Sequence, residues 1–465
     1  RCFYDIVVEV ALIRPGPIQG RSVNPYLRRR SGREEVTYLH PLLEPALRQT
    51  LGVPLFQEQL MRIATDAAGL SGAHADQLRR AMGAKRSPER MEALKGDLMA
   101  GMKERGIDAP TRERIFEQLK GFADFGFPES HSFSFAHIVY ASSWLKVHAP
   151  EHFYAAILAS QPMGFYSPAT LVQDARRHGV RVVGPSVNDS LVDASVQRVS
   201  EDESGESYSP GRPESLPSRG TVPLDVDADL AVRIGLNQVR GLGAAAERIV
   251  EARSQGAFAS QADLARRAHV SASAMEKLAM AGALECLGVG RREGAWAAGA
   301  LAQPQARGGQ WQPFLPGTEV GSRVPDLPSL SETERMQSDV ATTGLTSGEH
   351  PFSYVRGSLP ASALRAGELG QHLAGRIVDV AGIVTHRQRP HTGGGITFLS
   401  LEDETGFVNV SVSVGAWKKF RRVCLESNAL LVRGTLEWSD GAINVQAFRI
   451  TPVDLPINVR SRDFR

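Results

Sequence analysis

Cysteine is scarce in this sequence, and long apolar runs are missing. The 465 residues include three cysteines, far apart and without a C-x-x-C pair: Cys2, Cys286 and Cys424. This spacing argues against a zinc site and against a disulfide framework. It fits a reducing cytosol, so we expect a cytoplasmic protein. No stretch approaches the ~18 uninterrupted apolar residues of a membrane span, so no membrane partner is expected.

A strong net charge is also missing. Lysine and arginine number 53, aspartate and glutamate 51, which leaves a formal net charge of +2. Any affinity for nucleic acid must therefore come from local basic patches. Two clusters occur early in the chain: Arg28, Arg29, Arg30 and Arg33, and then Arg79, Arg80, Lys85, Arg86 and Arg90. A solvated helix face is the alternative for each cluster.

The sequence does not start with methionine. It opens at Arg1 and runs directly into an apolar segment that does not resemble a signal peptide, because Asp5 and Glu9 interrupt it. We therefore expect the chain to start inside a domain, with more of the protein upstream. The 465 residues, 42% hydrophobic and 22% charged, suffice for roughly two to four globular domains.

Periodicity and composition divide the chain into helical parts and a β-rich end. Helical spacing predominates over residues 1–180, a Ser-, Glu-, Pro- and Gly-rich stretch runs from about residue 195 to 229, and helical spacing returns near residue 230. The predicted fold class is multidomain and mainly α, followed by a C-terminal all-β barrel. The predicted boundaries are 1–190 for a helical domain, 191–229 for a linker, 230–290 for a second helical module, 291–374 for a linker and connecting region, 375–453 for the barrel, and 454–465 for a tail.

The barrel prediction comes from alternation with period two. Five strands are expected, at Ile377–Val384, Ile396–Leu401, Phe407–Val412, Ala429–Leu436 and Ile443–Ile450. Glycine-containing turns separate strands, and a helix-length insert, Gly415–Cys424, stands between the third and fourth. Five strands with this insert match the OB barrel, which commonly binds single strands or oligosaccharides.

The segment LRRAMGAKR, residues 78–86, carries cations that suit a polyanion. Arg79 and Arg80 stand near the end of a predicted helix, and Lys85 follows shortly after. Guanidinium groups bind phosphate oxygens bidentately through charge-assisted hydrogen bonds. The three residues are therefore candidates for binding a triphosphate.

A second candidate lies in the segment 126–148. Ser130 and His131 place small hydrogen-bonding groups just before an aromatic helix. This arrangement suits a nucleotide site, although aromatic residues at helical spacing are also typical of an ordinary core. Metal binding by the histidines of this region is disfavoured, because Pro150 interrupts the last pair and no carboxylate or thiolate clusters with them.

The third candidate is VRGLGAAAERIV, residues 239–250, which fits the pattern of a helix-hairpin-helix. Its two glycines permit a tight hairpin that brings backbone N–H groups at a helix N-terminus close to a phosphate. Arg240, Gly241, Leu242 and Gly243 are therefore candidate DNA-binding residues. An ordinary helix-turn-helix packing element is the alternative.

Two acidic segments could suggest metal binding, but neither is expected to bind a metal ion. Asp225, Asp227 and Asp229 form a D-x-D-x-D run beside the Pro-rich stretch, which favours a surface loop over the rigid strands that two-metal chemistry needs. Glu402-Asp403-Glu404 ends a predicted strand before a turn, so we expect these side chains to be solvated.

The chain resembles the alpha subunit of bacterial DNA polymerase III, the C family of DNA polymerases, and within it the error-prone, translesion branch. The resemblance runs through nearly the whole chain. It rests on five segments in matching order and spacing: RPGPIQG, GVPLFQEQLMRIA, LRRAMGAKR, FADFGFPESHSFSFA and WLKVHAPEHFYAAIL. It implies template-directed transfer of a nucleotidyl group from a dNTP to a primer 3′-OH.

The resemblance also implies roles for parts of this chain. Residues 1–190 would be the polymerase fingers, with Arg79, Arg80 and Lys85 on the phosphates of the incoming nucleotide and Ser130 and His131 lining the same pocket. Arg240 to Gly243 would grip duplex backbone, and the barrel would lie near single-stranded template. The palm, whose aspartates hold Mg²⁺, would precede Arg1, so no catalytic residue and no metal ligand is assigned here.

The resemblance also implies binding partners, and two alternative functions stay open. The expected partners are primer-template DNA, a dNTP, and accessory mutagenesis proteins that link the polymerase to the sliding clamp. A clamp motif of the Gln-x-x-Leu-Phe type has only a poor candidate, at residues 310–315 (QWQPFL). The alternatives are the replicative paralogue and a non-catalytic nucleic-acid-binding protein built from a hairpin module and an OB barrel.

Overall fold

The computed structural model describes residues 2–13, 23–81, 92, 94–123, 127–198, 223–301, 324–346, 348–390, 394–439, 442–457 and 461–464. These residues form two compact units, Arg1–Ser143 and Trp144–Arg465. None of the helices in these ranges has the length and apolar character needed to cross a membrane.

The first unit is helical. Its helices are α1 Phe3–Leu12, α2 Val23–Arg30, α3 Glu44–Leu47, α4 Gln57–Asp66, α5 Gly72–Ala81, α6 Lys95–Glu104, α7 Ala109–Ala123 and α8 Glu129–His148, the last continuing into the second unit. A core of side chains from α4 to α7, among them Leu60, Leu78 and Phe116, holds this unit together. A second cluster joins α1 and α8 through Val7, Phe56 and Ala136.

Helix α4 shows how local sequence sets these elements. Leu60, Ile63 and Ala64 recur at helical spacing and are buried. The buried side chain of Gln59 accepts hydrogen bonds from the N–H groups of Leu55 and Phe56, at 2.8 and 3.0 Å. Two backbone donors ahead of the first turn are thereby satisfied, which fixes where the helix begins.

The second unit contains α9 Pro150–Ala159, α10 Pro168–Arg177, α11 Ala245–Arg253, α12 Gln261–Ala268, α13 Ala272–Met280, α14 Arg291–Leu301, α15 Glu332–Thr343, α16 Ser353–Arg356 and α17 Val414–Glu426. Its strands are β1 Val182–Val183, β2 Ser195–Arg198, β3 Leu230–Arg233, β4 Ala363–Leu364, β5 Ile377–Gln388, β6 Thr397–Asp403, β7 Gly406–Val412, β8 Ala429–Ser439, β9 Ala442–Val453 and β10 Arg462–Phe464.

A three-stranded sheet corrects two predicted boundaries. Strand β3 lies between β1, which is parallel to it, and β2, which is antiparallel. The predicted linker therefore starts too early, because Ser195–Arg198 is a strand. The second helical module also begins with a strand at Leu230–Arg233, and not with a helix. Both segments are short, and their pairing joins residues more than 30 positions apart, which local periodicity does not register.

The barrel confirms the predicted fold class. Strands β5, β6, β7, β9 and β8 pair in this order, and β8 pairs again with β5, so the sheet closes. Alternate side chains of all five strands fill the interior, together with Trp417 and Cys424 of α17. All five predicted strands and the inserted helix are present, each within four residues of its predicted bounds at either end.

Two regions predicted to be linker or tail are more structured than expected. The described part of residues 291–374 includes α14, α15 and α16. In the predicted tail, β10 adds to β5 in parallel, with Arg462 opposite His386. Edge pairing of this kind satisfies backbone groups that would otherwise face solvent.

Candidate nucleic-acid and nucleotide interface

Arg79 and Arg80 lie in the last turn of α5 and face solvent. The two guanidinium groups share the carboxylate of Asp76, at 2.9 and 2.7 Å, and their side chains are 45% and 73% exposed. The hydrogen bond from Arg79 holds the pKa of Asp76 below its usual value. Such exposed ion pairs contribute little to stability, so a phosphate can replace the carboxylate at small cost. Lys85 lies outside the described residues.

Ser130 and His131 lie in the first turn of α8 and are both exposed. They line an open hollow of about 550 Å³ together with Phe127, Pro128 and Ser134. The imidazole of His131 packs edge-on against the rings of Phe127 and Phe135, with centroids 5.1 and 4.6 Å apart. The hollow therefore offers hydroxyl groups, an imidazole and apolar ring surface side by side.

Helix α4 connects these two groups of residues. Its first residue donates a backbone hydrogen bond to the carbonyl oxygen of Phe127, at 2.9 Å, and the carboxylate of Glu58 accepts from the N–H of Glu129, at 2.8 Å. Side chains of α4 and α5 share the same core. Among the described residues no hydrogen bond joins Arg79 or Arg80 to Ser130 or His131, so the convergence of the four residues on one ligand stays a prediction.

The aromatic residues of α8 are not core. Phe133, Phe135, Tyr140 and Trp144 are all exposed, and the side chains buried in this helix are those of Ser132 and Ala136. The alternative that the aromatic spacing marks an ordinary core is therefore wrong. The helix presents ring surface to its surroundings.

The hairpin at residues 240–243 has the backbone geometry that phosphate binding needs. Gly241 and Gly243 have φ angles of 76° and 50°, in the left-handed region that favours glycine. Leu242 between them is buried in the module core, which holds both glycines at the surface. The N–H groups of Gly243 and Ala244, just ahead of α11, donate no hydrogen bond within the described part of the chain.

Arg240 has a structural contact that the sequence did not reveal. Its guanidinium donates to the carbonyl oxygen of Ala341, at 3.1 Å, and its backbone N–H donates to that of Thr342, at 2.8 Å. Both acceptors belong to the last turn of α15, whose carbonyl groups lack helical partners. Arg240 thus anchors the hairpin to α15, and its contact with DNA stays a prediction. A nearby cation that sequence reasoning missed is Lys277, whose ammonium lies next to Gly241.

The acidic segments show one confirmation and one correction. Asp225, Asp227 and Asp229 are exposed, as expected, and Asp225 contacts His148 at 2.7 Å. By contrast Glu402 and Asp403 are buried, so the prediction that they are solvated is wrong.

Glu402 accepts hydrogen bonds from Arg177, at 2.9 Å, and from Thr170, at 3.2 Å. Burial raises its pKa to about 7 although Arg177 opposes the shift. Helix α10 covers the acid, and this long-range contact leaves no signal in the local sequence.

A catalytic Mg²⁺ site would need a cluster of carboxylate donors. Nowhere in the described ranges do three His, Cys, Asp or Glu side chains come together in a way that could hold a metal ion. The described residues therefore do not fit a catalytic Mg²⁺ site, and no step through a metal ion is assigned to them.

Three family models match parts of the chain. Residues 1–106 match the finger domain of the bacterial DNA polymerase III alpha subunit, residues 179–294 a helix-hairpin-helix motif, and residues 378–453 an OB-fold nucleic acid binding domain. Curated error-prone DNA polymerases match this chain over its whole length, and together with the finger-domain match they show that it is part of a DNA polymerase III alpha-type protein.

The similar curated proteins are named error-prone DNA polymerases. That of Mycobacterium bovis is 49% identical over 469 residues, which cover 100% of this chain and 40% of that protein. That of Nocardia farcinica is 48% identical, covering 100% and 39%. The chain thus spans about two fifths of the length of these relatives. The match to a solved asparaginyl-tRNA synthetase from Pyrococcus horikoshii covers 21% of this chain and 24% of the synthetase chain, with 19% sequence identity and a TM-score of 0.19.

Proposed function

We propose that this chain is the nucleotide- and DNA-handling part of an error-prone DNA polymerase that acts in damage-induced translesion synthesis. The reaction would transfer a nucleotidyl group from a dNTP to a primer 3′-OH and release pyrophosphate. The observation that carries the proposal is the match of residues 1–106 to polymerase fingers, because this segment contains the exposed arginine pair of α5.

The fingers would bind the incoming nucleotide through charge and stacking. Arg79 and Arg80, joined by Lys85, would exchange the carboxylate of Asp76 for triphosphate oxygens, which accept bidentate hydrogen bonds from guanidinium groups. Ser130 and His131 would hydrogen-bond the same nucleotide at the hollow that they line. Fixed cations stabilise the charge that develops as pyrophosphate leaves, and this kind of positioning supplies much of the catalysis in phosphoryl transfer.

The second unit would hold the primer-template. Backbone amides of Gly243 and Ala244 would donate to a duplex phosphate, with Arg240 and Lys277 adding positive charge beside the hairpin. These contacts read no base, so they suit an enzyme that follows any sequence. The OB barrel would bind single-stranded template.

Metal ions and protein partners belong to this proposal as expectations. The metal would be Mg²⁺ held by the aspartates of a palm domain, and we assign no residue of this chain to it. Accessory mutagenesis proteins would connect the polymerase to the sliding clamp. The poor clamp motif at residues 310–315 favours an indirect connection, and it lies outside the described residues.

The two nucleic-acid modules by themselves favour a second candidate, a non-catalytic binding protein. Primer extension by a protein of the relatives' full length that contains this chain separates the two. Template-directed extension supports the polymerase, whereas binding without extension supports the second candidate.

The same assay tests the arginine pair. Substituting Arg79→Ala and Arg80→Ala together should raise the apparent KM for dNTP by roughly tenfold or more and lower turnover, because each arginine would contribute charge-assisted hydrogen bonds to the triphosphate.

The matched control is the double variant Arg48→Ala with Arg62→Ala, which removes two exposed, ion-paired arginines from the same unit. It changes the net charge by the same amount as the Arg79/Arg80 variant. This control should leave KM close to that of the unaltered enzyme. An unchanged KM and turnover in the Arg79/Arg80 variant would rule out the triphosphate role.

A further inference from the structure

An exposed aromatic loop lies between α9 and α10. It carries Met163, Phe165 and Tyr166, and the two aromatic side chains are 63% and 55% exposed. Burying such rings against a partner is favourable, and large apolar side chains in a row on a surface loop are typical of a binding site. The loop belongs neither to the arginine pair of α5, nor to the hollow lined by Ser130 and His131, nor to the hairpin at residues 240–243.

The loop is fixed to the barrel at His386 of β5. The imidazole Nε2 lies 2.8 Å from the carbonyl oxygen of Phe165, and a carbonyl oxygen can only accept, so Nε2 donates. The ring of Tyr166 stands edge-on to the same imidazole, with centroids 6.2 Å apart. The aromatic loop is therefore held in place against β5.

The outer face of the barrel continues from His386. In the strand register, His386 pairs with Ser400 of β6, Ser400 with Asn409 of β7, and Asn409 with Asn444 of β9. Paired residues point to the same side of a sheet. Because Leu399, Leu401, Val408, Val410 and Val445 fill the interior, this row lies on the outer face.

A second row lies next to the first, in the direction away from α10. It consists of Gln388, Phe398, Ser411 and Gln446, in the same strand order, and Phe398 is exposed. The two rows together present amides, hydroxyls and one aromatic ring. These are groups that hydrogen-bond base edges and stack on base faces.

The two ends of this outer face differ. One end, at Phe407, is covered by α10, and the other, near Arg389, is open and basic. At one end α10 closes the face, where Arg177 lies over the ring of Phe407, 5.2 Å from its centroid. At the other end Arg389 follows β5, and its guanidinium lies over Trp417 of α17. Helix α17 also carries exposed Lys418 and Lys419. A strand of nucleic acid on this face would meet cations for its phosphates at the open end.

We propose that the aromatic loop extends the single-strand-binding face of the barrel, with Phe165 and Tyr166 stacking on bases at one end of a track that passes Phe398. The occupant is single-stranded DNA. The inference rests on the proposed function, which places template near the barrel, and adds to it the residues that would receive the unpaired bases. Stacking accepts every base, which suits a template of any sequence.

The test measures binding of a fluorescent oligo(dT) of about 20 nucleotides to the 465-residue chain by anisotropy. The double variant Phe165→Ala with Tyr166→Ala should weaken binding about fivefold or more, and Phe398→Ala should weaken it similarly, because each lost stack removes a base contact. The control is Trp296→Ala on α14, whose side chain is 60% exposed and far along the chain from the barrel. It should change affinity less than about twofold.

Duplex binding separates this inference from the function on which it rests. The loop variant should bind a fluorescent duplex as tightly as the unaltered chain does, since the hairpin is intact. If the unaltered chain binds oligo(dT) and the loop variant binds it equally well, the inference is overturned and the proposed function stands. If the unaltered chain does not bind oligo(dT), both the inference and the single-strand role of the barrel are overturned.

Discussion

At the scale of single residues, the glycines of the hairpin show how much a motif predicts. The spacing G-L-G implied a tight turn, and both glycines adopt the left-handed backbone that it requires. The role of Arg240 was not visible in the motif, because Ala341 and Thr342 lie about 100 positions away. Sequence patterns predict local backbone geometry well. Which of two possible partners a side chain contacts can be learned only from the tertiary structure.

Gly243→Ala tests whether the hairpin backbone contacts DNA. A methyl group at this position meets no atom within 4 Å, so the folded state should lose only the cost of the left-handed conformation, on the order of 1–2 kcal/mol. The methyl group would stand between the free amides and a phosphate. We therefore expect affinity for duplex DNA to fall roughly tenfold, measured by anisotropy.

Gly256→Ala is the matched control. This glycine is also left-handed and open to solvent, in the same module. Its φ of 122° is less accessible to alanine than the φ of Gly243, so the substitution should cost at least as much stability, while duplex affinity should stay unchanged. Equal loss of affinity in both variants would show that instability, and not a backbone contact, explains the effect of Gly243→Ala.

At the scale of elements, the bounds of the barrel strands were predicted within a few residues. The burial of the acidic residues at the end of β6 was predicted wrongly. Alternation reports which side of a strand faces the core, and it did so for all five strands. It cannot report what covers the outer face. The acids at residues 402–404 therefore looked solvated, although α10 buries Glu402 and the segment around α16 supplies Arg356 to Asp403, at 2.9 Å.

Glu402→Gln tests the buried contact between α10 and the barrel. Burial raises the pKa of Glu402 to about 7 from an ordinary value of 4.5. Between these pH values the unfolded chain loses a proton that the folded chain keeps. The free energy of unfolding should therefore fall as pH rises from 4.5 to 7, by about 1.4 kcal/mol per pH unit at most, and the variant should lack this contribution.

The measurement is denaturant unfolding of both proteins from pH 4 to pH 8. His350, whose pKa burial lowers to about 3, contributes a slope of opposite sign below its ordinary value of 6.5. Subtracting the variant's profile from that of the unaltered chain removes this common term. Parallel profiles would mean that folding does not raise the pKa of Glu402.

At the scale of the whole molecule, the order of modules was predictable and their junctions were not. Composition separated the helical parts from the barrel, and the matches to three family models follow the same order. The short strands β2, β3 and β10 were not predicted, because three or four residues are too few for a period to show. Their pairing partners are set by the tertiary fold.

The central claim is that the exposed arginine pair of α5 recognises a triphosphate, and the most direct measurement compares nucleotides of different phosphate length. Titration calorimetry of the 465-residue chain with a deoxynucleoside triphosphate and with the corresponding monophosphate should show tighter binding of the triphosphate. In the Arg79→Ala, Arg80→Ala variant this preference should disappear, while monophosphate binding stays unchanged. A variant that keeps the full preference for triphosphate, or an unaltered chain that has none, would contradict the account.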